Sequence, residues 1–168
     1  WAGNSVAGNQ NTSFGSKAGA NVVGDYNLGF GTYAGNTVTG SNNAAVGSAA
    51  GMNVKGKFNS AFGYHAGEVV SGDNNIAIGF RSGTNVTASN TISMGASSKA
   101  GTQNSIAIGS SATTSGSSSN GVAIGYNAKS VEGAIAIGEN ASAKSFIGDD
   151  GKAWISTAVG MGSIAEGL

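Results

Sequence analysis

The chain has 168 residues, 30 of them glycine, with no proline and no cysteine, and eight basic side chains balance eight acidic ones. The missing cysteine excludes disulfides, zinc–thiolate sites and thiol chemistry. The zero formal charge leaves no field to draw nucleic acid or an anionic membrane surface. No apolar run approaches the ~20 residues that span a bilayer. A triplet glycine period and proline are both lacking, so collagen is excluded. The apolar residues hold fixed places in a repeat, which argues against disorder. Beginning at Trp1 without a methionine, the sequence reads as part of something longer.

Residues 1–10 read as a degenerate first repeat, with Asn4-Ser5-Val6-Ala7-Gly8 as a near copy of a motif that recurs along the chain. From residue 11 that motif is a regular five-residue cassette: polar, apolar, small, apolar, glycine. Its closing glycines fall at Gly15, Gly31, Gly47, Gly63, Gly79 and Gly95, 16 residues apart each time. Between cassettes run an alanine column (Ala18, Ala34, Ala50, Ala66) and a valine column (Val22, Val38, Val54, Val70, Val86). The first cassette position is asparagine at Asn11, Asn27, Asn43, Asn59 and Asn75. Apolar residues on either side of a small one predict a short strand, and the valine column predicts a second strand in each coil. Glycines at the strand ends permit the positive φ of a sharp reversal. The glycine-bounded segments are too short for independent helices.

Over 95–138 the cassettes become more aliphatic and close at Gly109, Gly125 and Gly138. The Ser/Thr-rich stretch 110–120 is expected to be an outer turn. Residues 139–168 break the period. There Phe146-Ile147-Gly148 and Ala153-Trp154-Ile155 flank Asp149-Asp150-Gly151. Asp-Gly between apolar runs predicts a hairpin. The alternatives are a looped-out insertion and an end cap in which Trp154 covers the last coil.

A lone two-strand coil cannot bury its apolar face, but stacked coils can. The expected fold is therefore all-β: a parallel β-roll of about ten coils of 13–16 residues, rising ~4.8 Å per coil. Its repeat region is 1–138. Cassette positions two and four (Ile76, Ile78, Ile106, Ile108, Val122, Ile124) are expected to form the core, with turns at Gly79, Gly109 and Gly125. None of the 16 charged residues lies in a cassette, so the cassette strand reads as buried on both faces. The small third position, Ala45, Ala61, Ala77, Ala107, Ala123 and Ala136, would then face another copy of the chain and form the subunit interface.

Chemistry-bearing constellations are scarce. His65 is the one histidine, and no carboxylate cluster accompanies it. Asp149 and Asp150 sit in a predicted turn. Gly-x-Gly patterns follow from composition and lack the lysine of a phosphate loop. No catalytic residue, metal site or cofactor is assigned, and no enzyme activity is expected. The better signal is a run of aromatic and cationic residues just after the cassette glycines: Tyr33, Tyr64, His65, Phe80 and Arg81. Stacking would make neighbours of the last four. They form either an exposed ligand-binding edge, which such residue types favour, or part of a subunit contact.

The cassettes Asn104-Ser105-Ile106-Ala107-Ile108-Gly109 and Gly121-Val122-Ala123-Ile124-Gly125, with Ala112 and Ala128 three residues on, resemble the YadA-like head repeats of trimeric autotransporter adhesins. The likeness covers roughly 11–138. It implies a homotrimer of left-handed β-rolls, displayed outside a bacterium and held to the outer membrane by an anchor downstream of this sequence. It also implies a virulence-type adhesive function: attachment to a host receptor, a matrix protein, a glycan or another bacterium, with no nucleic-acid partner. The alternative is a structural trimer segment of a phage tail fibre or tailspike. A hexapeptide acyltransferase is rejected because each coil has two faces where that fold needs three. An ice-binding solenoid needs a flat array of regularly repeated threonine, whereas threonine is irregular along the repeat; a thermal-hysteresis assay decides it.

Overall fold

A computed structural model describes residues 1–147 and 153–166. Among these residues there are seventeen short strands and no helix. The strands are β1 (Thr12–Phe14), β2 (Leu28–Phe30), β3 (Ala44–Val46), β4 (Ser60–Phe62), β5 (Ile76–Ile78) and β6 (Ile92–Met94). Next come β7 (Lys99–Ala100), β8 (Ile106–Ile108), β9 (Thr113–Ser115), β10 (Val122–Ile124), β11 (Lys129–Val131) and β12 (Ile135–Ile137). The last five are β13 (Ser142–Lys144), β14 (Phe146–Ile147), β15 (Ala153–Trp154), β16 (Thr157–Val159) and β17 (Ile164–Glu166). The cassette strands build one ten-stranded parallel sheet, in the order β1-β2-β3-β4-β5-β6-β8-β10-β12-β16. Coil is stacked on coil in strict phase: Ala61 pairs with Ala77, Ser93 with Ala107, and Ala123 with Ala136. The chain is a β-solenoid.

The second wall differs between the two halves. From β7 onward it is a parallel sheet of five strands, ordered β17-β13-β11-β9-β7. The stretch expected as an outer turn thus contains a strand, β9, whose Thr114 is buried. In the earlier coils the expected second strand shrinks to single bridges, Val23–Thr39 and Thr39–Lys55 among them. The valine column beside these bridges is nonetheless buried, at 1–4% exposure, and forms its own core cluster.

The cassette faces are reversed from the sequence expectation. Ala45, Ala61, Ala77, Ala107, Ala123 and Ala136 are 0–4% exposed within the single chain, so another copy cannot reach them. They line the coil's own lumen: the first three pack with Ala34, Ala50 and Ala66, Ala107 and Ala123 with Ala112 and Ala128, and Ala136 with Ala134 and Ala141. Ile76 and Ile78, expected in the core, point outward and are each 38% exposed. Ile106, Ile108, Val122 and Ile124 are likewise only half-buried. The physical reason is the width of the lumen. A Cβ added to Gly83 on the opposite wall would lie 2.9 Å from the Cβ of Ala77. A Cβ on Gly29 would lie 2.5 Å from the Ala34 carbonyl oxygen. Only methyl-sized groups fit between walls this close, so the bulky members of the alternation turn out.

The closing glycines act as expected. Gly79 and Gly109 have φ of 124° and 126°, and a Cβ on Gly109 would stand 2.4 Å from the carbonyl oxygen of Gly125 in the next coil. Only glycine tolerates both the dihedral and the stacking.

Side chains that can hydrogen-bond also stack. Asn43 donates from its backbone N–H and its Nδ2 to Asn27 Oδ1, both at 3.0 Å, and from Nδ2 to the Gly56 carbonyl at 2.9 Å. Asn59 repeats this on Asn43. The ladder satisfies buried backbone groups that the coil itself leaves open. It ends where Thr91 Oγ1 donates to Asn75 Oδ1 at 2.7 Å.

Near the C-terminal end, β14 and β15 pair antiparallel, Phe146 opposite Trp154, and both sheets resume beyond them in β16 and β17. The hairpin is therefore looped out between coils. Trp154 is 57% exposed and covers nothing. The expected Asp149-Asp150-Gly151 turn lies outside the described residues.

Candidate functional site

Because the alanines turn in, the outer face of the ten-stranded sheet carries the bulky cassette positions. The fourth-position column is apolar in all ten strands: Phe14, Phe30, Val46, Phe62, Ile78, Met94, Ile108, Ile124, Ile137 and Val159. The second-position column beside it is apolar at Leu28, Ala44, Ile76, Ile92, Ile106, Val122 and Ile135. Phe14 and Phe30 stack at 4.9 Å with their planes 11° apart. Single exposed apolar residues are ordinary on a protein surface. A double stripe running the length of a sheet is a contiguous apolar patch, the kind of surface on which interaction sites are found. The sequence signal for it was the absence of charge from every cassette, which the outward face explains.

Past each closing glycine the chain turns through residues held in the left-handed conformation. Tyr33, His65 and Arg81 have φ of 59°, 55° and 52°. This conformation disfavours ordinary L-residues by about 1–2 kcal/mol each. Backbone bonds between coils offset that cost: His65 N–H donates to the Ser48 carbonyl and Arg81 N–H to the Tyr64 carbonyl, both at 2.9 Å. The side chains of Tyr33 and Arg81 stand out from the edge of the rod, and that of His65 is half-buried.

The structure brings four of the five expected edge residues together. Tyr64 and Phe80 stack at 5.6 Å with planes 9° apart. Tyr64 meets His65 edge to face at 4.2 Å. The Arg81 guanidinium sits 5.4 Å from the Phe80 ring centre, within cation–π range. The Glu68 carboxylate is taken up by His65 Nδ1, which leaves Arg81 without a carboxylate partner among the described residues. Tyr33 stands apart. Ala49 separates it from His65 in the column, and its hydroxyl accepts from Lys17 Nζ at 2.9 Å. Tyr26 and Phe58 are also exposed, with Asn42 between them in their own column.

The lumen is nearly filled. The void running between the asparagine, alanine and valine columns has a free volume of about 20 Å³, room for about one water. Among the described residues no group of three His, Asp or Glu side chains could hold a metal ion, and no helix is long and apolar enough to cross a membrane.

Among the described residues one carboxylate has a shifted pKa. Glu132 accepts from the backbone N–H of Ser117, and from the N–H of Ser118 at 2.9 Å, and these bonds hold its pKa below the usual carboxylate value. It anchors the loop 116–119 to the coil below. What the arrangement can do is present two surfaces, an apolar sheet face and an aromatic, cationic edge, on a rigid stack. No family model, curated protein or solved structure matches the chain.

Proposed function

We propose that this chain is a rigid, non-catalytic rod that assembles as a homotrimer and serves as an adhesive head on the outside of a bacterium. The observation that carries the reading is the double apolar stripe on the ten-stranded sheet. Three copies packed about an axis would cover it and leave the turn edges outward. The adhesive role rests on the resemblance of the repeat to adhesin heads, and on the Tyr64, His65, Phe80, Arg81 cluster, whose residue types favour binding hot spots. In this arrangement the contact to the partner lies with the outward isoleucines and phenylalanines, and the alanines hold each rod together from within. The test is binding of the purified protein to a panel of immobilised matrix proteins, glycans and bacterial cells. Replacing Tyr64, Phe80 and Arg81 together by serine should abolish a binding signal while the oligomer stays intact. Unchanged binding with a dissociated oligomer would assign those residues to the subunit contact and remove the edge from the adhesive reading.

A further inference from the structure

We propose that Asn120 is a site of spontaneous covalent modification, in which its carboxamide is lost through a cyclic imide to give aspartate or isoaspartate. The sequence contains a single Asn-Gly pair, Asn120-Gly121. Asn120 is exposed, in the left-handed conformation (φ 68°), at the end of the loop 116–119. Its backbone N–H is pinned to the Gln103 carbonyl at 2.9 Å, and the Gly121 carbonyl accepts from Ile106 N–H at 2.9 Å. Between these anchors, neither the Asn120 carbonyl nor the Gly121 N–H has a hydrogen-bond partner among the described residues, and neither does the Asn120 side chain. No hydrogen bond therefore holds the peptide plane joining the two residues, and its rotation would bring the Gly121 nitrogen onto the Asn120 side-chain carbon.

The same column of the solenoid supplies the contrast. Asn42, Asn74, Asn90 and Asn104 occupy the equivalent place in earlier coils and share the positive φ. At the first three the nitrogen that would attack is held: Asn43 N–H donates to Asn27 Oδ1, Asn75 N–H to Asn59 Oδ1 and Thr91 N–H to Asn75 Oδ1, each at 3.0 Å. At the fourth the side chain under attack is held: Asn104 Oδ1 accepts from Asn90 Nδ2 at 2.9 Å. Each following residue there also carries a side chain that crowds the approach. The asparagine ladder that closes the earlier coils is therefore a protecting device as well as a structural one, and it has run out by Gly121. Packing keeps the reactive glycine in place. A Cβ at 121 would lie 2.8 Å from Ser130 Oγ and 3.3 Å from Thr114 Cβ.

In the reaction the Gly121 nitrogen gives its proton to solvent and bonds to Asn120 Cγ. The Cγ–Nδ2 bond breaks and ammonia leaves. Water then opens the ring at either carbonyl. Opening toward isoaspartate inserts one extra carbon into the main chain between the two anchoring bonds, and both products add a negative charge at the entry to β10.

The test is incubation of the folded protein at mildly alkaline pH, with peptide mapping by mass spectrometry and enzymatic labelling of isoaspartate. The expected result is that the amide-to-acid mass gain and the isoaspartate label appear first in the peptide carrying Asn120. Asn42, Asn74 and Asn90 should lag, the rate should rise with pH, and Asn120→Gln, with an unchanged circular dichroism spectrum, should abolish the signal. The proposal is overturned if the folded protein is silent at Asn120 while the denatured chain reacts there, or if another asparagine reacts first.

Discussion

Substituting Gly83 by alanine tests which way the cassette faces. Gly83 has φ +58°, and its new Cβ would come to 2.9 Å from the Cβ of Ala77 and 3.4 Å from that of Ser93. The left-handed dihedral costs about 1–2 kcal/mol, and forcing a methyl into a filled lumen costs about 1–3 kcal/mol more. The single variant should lose about 2–5 kcal/mol of stability. Ala77→Gly alone gives up one buried methyl, about 0.8 kcal/mol, and adds a glycine to a strand, about 0.5–1 kcal/mol. If the two sites were independent the losses would add. If they face each other across the lumen, the double variant escapes the clash, and the cycle returns a favourable coupling of about 1–3 kcal/mol. Chemical denaturation of the four proteins, followed by circular dichroism, measures this. Additive losses would mean that Ala77 does not look across at Gly83, and the inward placement of the alanine column would fall.

Ile78→Lys addresses the other face. Complete burial of an isoleucine contributes about 1.5–3 kcal/mol, so the 38% still exposed in one chain is worth about 0.6–1.1 kcal/mol per copy on assembly. Desolvating an unpaired ammonium adds several kcal/mol against it. Sedimentation should show the proposed trimer dissociating while the fold is retained; an intact trimer would place the contact elsewhere. Lys57→Ser should stabilise. Asp25 N–H donates to Ser41 Oγ and Lys57 N–H to Asp73 Oδ1, yet Lys57 offers Ser41 N–H no acceptor. A serine there supplies one, worth about 0.5–1 kcal/mol in thermal unfolding. The Glu132 pKa is lowered in the folded chain, so its contribution is present above the unfolded carboxylate pKa and is lost as pH falls through the lower folded value. The protection of the Ser117 and Ser118 amides against exchange, measured by NMR relative to an unstructured chain at the same pH, should fall on that acid side in the wild type. In Glu132→Gln it should be low at all pH values, and a pH-independent protection in the wild type would contradict the anchoring role.

The repeat, the in-register strands and the glycine turns were legible because each leaves a fixed-period mark: 16-residue spacing, alternation, and residues that permit positive φ. The valine column was legible as core for the same reason. The identity of the inner face was not. Alternation says that Ile76 and Ile78 share a face opposite Ala77, but not which face is inside. Placing the larger apolar groups inward is a sound default only where the interior has room for them. Here the decisive sign was a second column, Gly51, Gly67 and Gly83, in phase with Ala45, Ala61 and Ala77. Glycine facing alanine describes a lumen one methyl wide. The edge cluster was half legible: adjacency in the stack joined Tyr64 to Phe80 and Arg81, whereas the two-coil gap at Ala49 left Tyr33 with Lys17. The partial loss of the second strand before β7 had no readable sign, since a valine column serves a strand and a single bridge equally well.

The most direct test of the account is the solution mass of the unmodified protein by sedimentation equilibrium. A chain of 16.2 kDa whose apolar sheet face is covered by two sisters should sediment at three times that mass across the micromolar range. A stable species at 16.2 kDa, with Ile76 and Ile78 left in water, would contradict it.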